Sequence, residues 1–331
     1  MEWQILPLKL ELKYTWKISR NSSVFKQNFI IHCSQDGLTG MGEIAPNIRY
    51  NETSDMILAA FNEFVLNAPK FELNEWEAFE TYLFASSLPN ALKFGLEAAF
   101  VHLLAQTKKQ SLPTILGIES KTQIGSCYTL PIMETSELEA FYNTYHLHRF
   151  PYIKVKVNAE KATEIVSAVA SFCKQPIMID GNEAWQKAAD VIAFLDTVKN
   201  LPIQFIEQPL PAHLEEEYRQ LKQAAIFPVF ADESVLNKPN FDALVEQFHG
   251  VNMKLMKGGS YVNGIRIIKE AKKRNLQTMV GCMVESTLGI QGAFYVAAIT
   301  DYADLDGCLI VANEPYHLLE ENEGMFELRK N

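Results

Sequence analysis

Apolar and polar positions along the chain change rhythm near residue 120. Before it, the segments around 3–18 and 24–34 have strand character, and Gln35-Asp36-Gly37 supplies a turn between two such runs. From Ser54 to Gln106 apolar residues recur at three and four, the period of amphipathic helices. The stretch 107–123 carries Pro113, Gly117 and polar residues and predicts a domain boundary. Beyond it, eight short apolar runs alternate with amphipathic segments: IGSCYTLPIM, YIKVKVN, PIMIDGN, IQFIEQPL, PVFADES, GVNMKLMKGG, LQTMVGCMVES and YADLDGCLIV. Eight units of near-equal length predict an α/β chain folded as a (β/α)8-type barrel. A doubly wound open sheet is the rival, but five or six runs would suit it better. No G-x-G-x-x-G follows the first strand either. The tail after Val311 is too short for a domain, yet Met325, Phe326 and Leu328 give it an apolar face to bury. The expected organisation is an α+β cap over 1–120, a barrel over 121–311, and a tail, 312–331, that packs back on the cap.

Composition narrows the partners. With 48% hydrophobic residues in 331, the chain has ample material for a core and does not read as disordered. Its net charge of -10 repels phosphate backbones, and the cluster Lys269, Lys272, Lys273 and Arg274 has the spacing of a solvated helix face. Nucleic acid is not an expected partner. The five cysteines are odd in number, widely spaced and without C-x-x-C, so free thiols in a reducing compartment are expected. The N-terminus lacks a signal-like apolar stretch, and LGIQGAFYVAAIT is too short to span a bilayer. A soluble, cytoplasmic chain with no membrane partner is the expectation.

Charges at the ends of the apolar runs supply the chemistry. Lys156, Asp180, Glu207, Asp232 and Lys254 follow one another at spacings of 24, 27, 25 and 22 residues. Each spacing is one βα unit, so a barrel gathers all five at the carboxyl rim of successive strands, where barrel active sites form. Three carboxylates converging on a dry rim repel one another unless a cation neutralises them, and all-oxygen ligation suits Mg2+. Separate salt bridges to helix-borne lysines or arginines are the plainer alternative. Lys154 and Lys156 alternate on one strand and so share a face, with Ile153, Val155 and Val157 facing the helices. Two adjacent ammonium groups near a metal are expected to lower each other's pKa, leaving a neutral amine able to act as a base. Lys254 lies four strands on from Lys156, across an eight-strand ring. Two bases on opposite sides point to removal of a proton from one face of a carbon and return on the other. Mg2+ and Lys154 would stabilise the resulting enediolate.

These motifs, IKVKVN at 153–158, IDGN at 179–182, IEQPL at 206–210, ADES at 231–234 and NMKLMKGG at 252–259, resemble those of the enolase superfamily in its muconate lactonizing enzyme subgroup. MGEIAP at 41–46 is similar to the family's capping-domain motif, so the likeness covers nearly the whole chain. The resemblance implies one Mg2+ per active site held by Asp180, Glu207 and Asp232, with Lys156 and Lys254 as acid/base groups. It implies that Lys154 tunes Lys156 and holds the substrate carboxylate, and that Asn182 and Glu233 orient the ligands. It also implies a barrel capped by the N-terminal segment and the tail. The Asp304-x-Asp306 pair is similar to the one by which dipeptide epimerases grip a substrate ammonium, although acids capping the turn before Gly307 would read the same way. Glu285, Arg20 and Tyr50 are further candidates for substrate contact, and Arg20, Lys26 and Arg49 are cations available to a side-chain carboxylate. The expected activity is epimerisation of a dipeptide, with L-Ala-D/L-Glu as a candidate by analogy. N-acylamino acid racemase, o-succinylbenzoate synthase and muconate-type cycloisomerase are alternatives, and a non-catalytic metabolite-binding barrel is a more distant one. Barrels of this subgroup often assemble, which leaves a homo-oligomer open.

Overall fold

A computed structural model describes residues 1–18 and 21–329. Arg20, one of the sequence candidates, lies outside the described residues.

The chain opens with an antiparallel sheet of β1 (Glu2–Ile18), β2 (Asn21–Gln35) and β3 (Leu38–Ile44). Asp36 and Gly37 both take left-handed backbone, with φ of 53° and 80°, which makes a two-residue loop matched to the strand twist. Three helices follow: α1 (Ser54–Asn67), α2 (Trp76–Ala85) and α3 (Asn90–Lys108). The sheet lies directly against α3 because β3 presents glycines there. A Cβ on Gly40 would sit 2.0 Å from the Ala99 carbonyl oxygen. Trp3 packs edge-on to Phe64 and stacks on Phe79, tying β1 to α1 and α2.

Each apolar run of the second part contributes one strand. After the short β4 (Gln123–Gly125) come β5 (Cys127–Leu130), β6 (Tyr152–Lys156), β7 (Ile177–Asp180), β8 (Ile203–Glu207), β9 (Val229–Ala231), β10 (Gly250–Lys254), β11 (Gln277–Gly281) and β12 (Tyr302–Asp304). These last eight form one parallel sheet in chain order, with amphipathic helices between them. β5 and β12 end that order, and side chains join them. Asp306 Oδ2 accepts from the Thr129 backbone N–H at 2.6 Å, and Ser126 Oγ accepts from Leu305 N–H at 2.9 Å. Inside the ring, Cys127, Met178, Phe205, Phe230 and Met279 form a separate apolar plug, with Phe205 and Phe230 stacked at 4.1 Å. Ile153, Val155 and Val157 join the larger cluster under the helices, so their neighbours Lys154 and Lys156 are turned inward.

The tail divides its contacts. Ala312 N–H bonds the Glu11 carbonyl, and Asn313 Oδ1 accepts from Glu11 N–H, which fixes the far part of β1 over the barrel. The hairpin β13 (Leu319–Asn322) and β14 (Met325–Leu328) pairs with β4 instead of the cap sheet, and Arg149 clamps Glu321 at 2.6 Å. The apolar face of the tail is used, but most of it closes on the start of the barrel. Among the described residues no helix is long and apolar enough to cross a membrane.

Candidate active site

Sheet register sets the site. Lys156, Asp180 and Glu207 are level on β6, β7 and β8, while Lys254, Gly281 and Asp304 are level on β10, β11 and β12. All lie at the carboxyl ends of their strands. β6 and β10 are separated by three strands on one side, so Lys156 and Lys254 face each other across the ring. Gly281 is required between its neighbours. A Cβ there would fall 2.6 Å from Asn252 Oδ1 and 3.1 Å from Lys254 Cε.

The three acids on β7, β8 and after β9 are almost wholly buried, Asp180 at 1%, Glu207 at 0% and Asp232 at 2% exposure. Their charge is met by lysines. Lys154 Nζ lies 2.8 Å from Glu207, 2.9 Å from Asp304 and 3.3 Å from Asp180. Lys156 donates to Asp180 at 2.6 Å and to Asn182 Oδ1 at 2.7 Å, and Lys254 donates to Asp232 Oδ2 at 2.8 Å. With their present rotations no three acids among the described residues surround a common point closely enough to hold an ion. The donor set nevertheless fits a divalent cation. It offers three buried carboxylates on adjacent strands, two of them already bridged by one ammonium. Glu207 Oε2 lacks any hydrogen bond, because Lys154 approaches it off the bonding direction.

The acids around Lys154 set its charge state. Burial alone would pull this ammonium down, but Asp180, Asp304 and Glu207 outweigh it and hold Lys154 well above the usual lysine range. Lys254 is likewise lowered by burial, raised more by Asp232, and held high. Burial pushes Asp180 and Asp232 up, yet the adjacent lysines bring both below the ordinary carboxylate range. For Glu207 burial wins, and its carboxyl is raised. Lys154 touches three carboxylates, and these acids outweigh the neighbouring ammonium there.

Three residues inside the quoted motifs, given no role from the sequence, complete the rim. Lys257 is fully buried and donates to Asp232 Oδ1 at 2.5 Å and to the Asp232 carbonyl, sharing that acid with Lys254. Asn252 Nδ2 donates to Glu207 Oε1 at 2.8 Å. Gln208, buried and at φ 36°, accepts from Asp232 N–H at 2.8 Å and Ser234 N–H at 3.1 Å. It holds the loop after β9 to the end of β8, at a backbone cost of about 1–3 kcal/mol. Only the polar residues flanking strand ends signalled them in the sequence.

Above the rim is a cavity of about 450 Å3. Its walls include Lys154, Lys156, Lys254, Asp232, Asn182, Glu233, Asp304 and Asp306, with Trp16, Phe25 and Tyr50 from the cap. Tyr50 lies near Asp232 and Lys254, and burial raises its hydroxyl pKa. Asp304 stays on its strand. Asp306 belongs to the short 3-10 turn that follows, so the two are not alternate positions of one strand. Both still reach the cavity, and Asp306 also bonds Thr129 N–H, as a turn-capping acid would. Glu285 is a correction. It is buried under the cap, accepts from Met283 N–H at 2.7 Å and is absent from the cavity wall. Burial, then Glu43, pushes its carboxyl up to about 8. Glu43 of the MGEIAP motif accepts from Ser286 and from Gly289 N–H (3.0 Å), holding the cap to the helix Thr287–Ala297.

A family model described as "Enolase C-terminal domain-like" matches residues 137–327. The L-Ala-D/L-amino acid epimerase of Flavobacterium johnsoniae is 29% identical over 92% of this chain and 90% of its own. The L-Ala-D/L-Glu epimerase of Bacteroides thetaiotaomicron is 24% identical over 99% and 85%. A solved dipeptide epimerase from Cytophaga hutchinsonii, complexed with Mg and D-Ala-L-Val, shares the fold. Its TM-score is 0.92 at 24% identity, covering 98% of this chain and 92% of that one.

Proposed function

Because the chain belongs to the enolase C-terminal domain-like family and sets two lysines across one buried acid cluster, we propose that it is a metal-dependent dipeptide epimerase. The observation that carries the reading is the opposed pair, Lys156 held by Asp180 and Asn182, and Lys254 held by Asp232. One lysine takes the α-proton of the substrate's C-terminal residue, breaking C–H and forming N–H. The other delivers a proton to the opposite face, and the configuration inverts. Lys154, kept protonated by its three acids, faces the substrate carboxylate and steadies the negative charge that develops there. Asp304 and Asp306 meet the free ammonium of the first residue, which favours a dipeptide over an acylated amino acid. Asp180, Glu207 and Asp232 would hold one Mg2+, which when bound neutralises the acids and takes up charge from the substrate carboxylate. L-Ala-D/L-Glu is the first dipeptide to test, on the names of the relatives.

Incubation with L,L-dipeptides in D2O with Mg2+, read by mass spectrometry, tests the proposal. A gain of one mass unit with inversion, confined to certain dipeptides, is expected. Lys156→Ala and Lys254→Ala should each abolish inversion, while either retains exchange from one stereoisomer. Turnover of an N-acylamino acid without exchange on any dipeptide would replace this reading by the racemase one.

A further inference from the structure

Each of the three buried acids keeps one carboxylate oxygen on a donor of the scaffold and turns the other toward the cavity lysines. Asp180 Oδ1 accepts from Asn182 backbone N–H at 3.1 Å, while Oδ2 meets Lys156 at 2.6 Å and Lys154 at 3.3 Å. Glu207 Oε1 accepts from Asn252 Nδ2 at 2.8 Å, while Oε2 meets Lys154 at 2.8 Å without a hydrogen bond. Asp232 Oδ1 accepts from Lys257 Nζ at 2.5 Å, while Oδ2 accepts from Lys254 at 2.8 Å. Lys154, Lys156 and Lys254 line the cavity, whereas Asn252 and Lys257 lie behind its wall.

We propose that Lys257 and Asn252 select the metal by holding Asp232 and Glu207 to one free oxygen each, which favours Mg2+ over Ca2+. This deepens the metal-dependent reading above and rests on it.

The two ions differ in what they ask of a carboxylate. Ca2+ takes roughly six to eight oxygens at about 2.3–2.6 Å, often both oxygens of one carboxylate. Mg2+ needs near-octahedral geometry at about 2.0–2.1 Å, which the narrow bite of a two-oxygen carboxylate spoils. Acids limited to one oxygen each therefore suit the smaller ion. Lys257 is built as a permanent pin. Its side chain is fully buried, and its three protons go to Asp232 Oδ1, the Asp232 carbonyl and, at 3.2 Å, the Asn252 carbonyl. The short helix Leu255–Gly258 follows Lys254 at once and is closed by Gly259 at φ 77°, which brings the ammonium back to Asp232. Asn252 lies two residues before Lys254 on β10 and shares its inward face. A Cβ on Gly281 would fall 2.9 Å from Asn252 Nδ2, so β11 leaves room for this amide only as glycine. The two pins are also tied to each other through the Asn252 carbonyl.

The test titrates Mg2+ and Ca2+ separately into chelator-treated wild type, Lys257→Met and Asn252→Leu, by calorimetry and by the shift of the thermal midpoint. Loss of the lysine charge acts alike on two divalent ions, so the ratio of their dissociation constants isolates the geometry. Wild type should bind Mg2+ at least as tightly as Ca2+. In each variant the ratio should move toward Ca2+ by roughly tenfold or more, the lower end of what removing a group that orients a metal ligand does to affinity. A purely structural role would weaken both ions equally and leave the ratio where it was. Asn252→Leu also removes an amide oxygen that has no partner, so it carries the test if Lys257→Met does not fold. An unchanged ratio in a folded variant would overturn the role of that residue. A wild type that binds Ca2+ more tightly than Mg2+ overturns the selection and leaves the metal-dependent reading intact. A wild type that binds neither ion overturns both.

Discussion

Replacing Lys154 by Met tests the buried charge cluster directly. The side chain is 2% exposed, and its ammonium serves Glu207, Asp304 and Asp180 at 2.8, 2.9 and 3.3 Å. Methionine keeps the length and much of the packing and deletes the charge. Breaking one buried ion pair costs about 3–5 kcal/mol, against a total stability of about 5–15 kcal/mol for a domain. Three acids share this loss, so the deficit should reach at least that range unless they take up protons. The sign of the pH dependence follows. Carboxyls stripped of their cation have folded pKa values raised above the unfolded ones. Their contribution is fully present below the unfolded pKa and is lost as pH rises through the folded one. The deficit of Lys154→Met must therefore be small in mild acid and grow toward mild alkali. Urea titrations of both proteins at the two extremes, in chelator and in excess Mg2+, measure it. Excess Mg2+ should stabilise the variant more than wild type, since a cation that binds only the folded acids acts by mass action. A deficit under about 1 kcal/mol at both pH values, or one that shrinks as pH rises, would refute the reasoning, because the acids could not then be charged and dependent on this ammonium.

Two further outcomes follow from single buried acids. Asp306→Asn should weaken binding of free-amine dipeptides, read as a rise in KM, while N-acetylated analogues bind as before. An equal effect on both would reduce Asp306 to its bond with Thr129 N–H. Glu97, fully buried in α3 and accepting from Tyr261 N–H, is raised by burial from 4.5 to about 8. Its share of stability is present below pH 4.5 and is lost as pH rises toward 8. Glu97→Gln, a mimic of the protonated form, should flatten the stability curve in that window and exceed wild type above it by at most ~5 kcal/mol. Parallel denaturation curves across that range would contradict the burial argument.

The barrel was legible because eight apolar runs recur at even spacing and six of them also carry a charge at or near the carboxyl end. The turn at Asp36-Gly37 was legible from two residues that tolerate left-handed backbone. The tail was only half legible. Its apolar face could be seen, but pairing of β14 with β4 depends on a three-residue strand that no periodicity marks. Rim positions on strands, such as Lys154 and Asp304, follow from alternation. Asp306 escapes that rule because the chain leaves the strand after Asp304 and enters a 3-10 turn.

Glu285 and Lys257 show why the remaining part stayed hidden. Both carry charges just past a strand end, the pattern that located Asp232, yet one turns beneath the cap and the other folds back onto Asp232. What separates them is which neighbour satisfies the charge, and the neighbours come from distant sequence. Glu285 takes the backbone N–H of Met283 while Glu43, from β3, occupies the donors of the helix beginning at Thr287. Lys257 finds Asp232 because the short helix Leu255–Gly258 follows β10 at once and brings its ammonium back under the rim. The same accounting separates Lys26 from Arg49. Two cap cations look alike in the sequence, and the placement of Glu183 on the loop after β7 gives Arg49 a carboxylate partner, whereas among the described residues Lys26 is held by the Pro46 carbonyl.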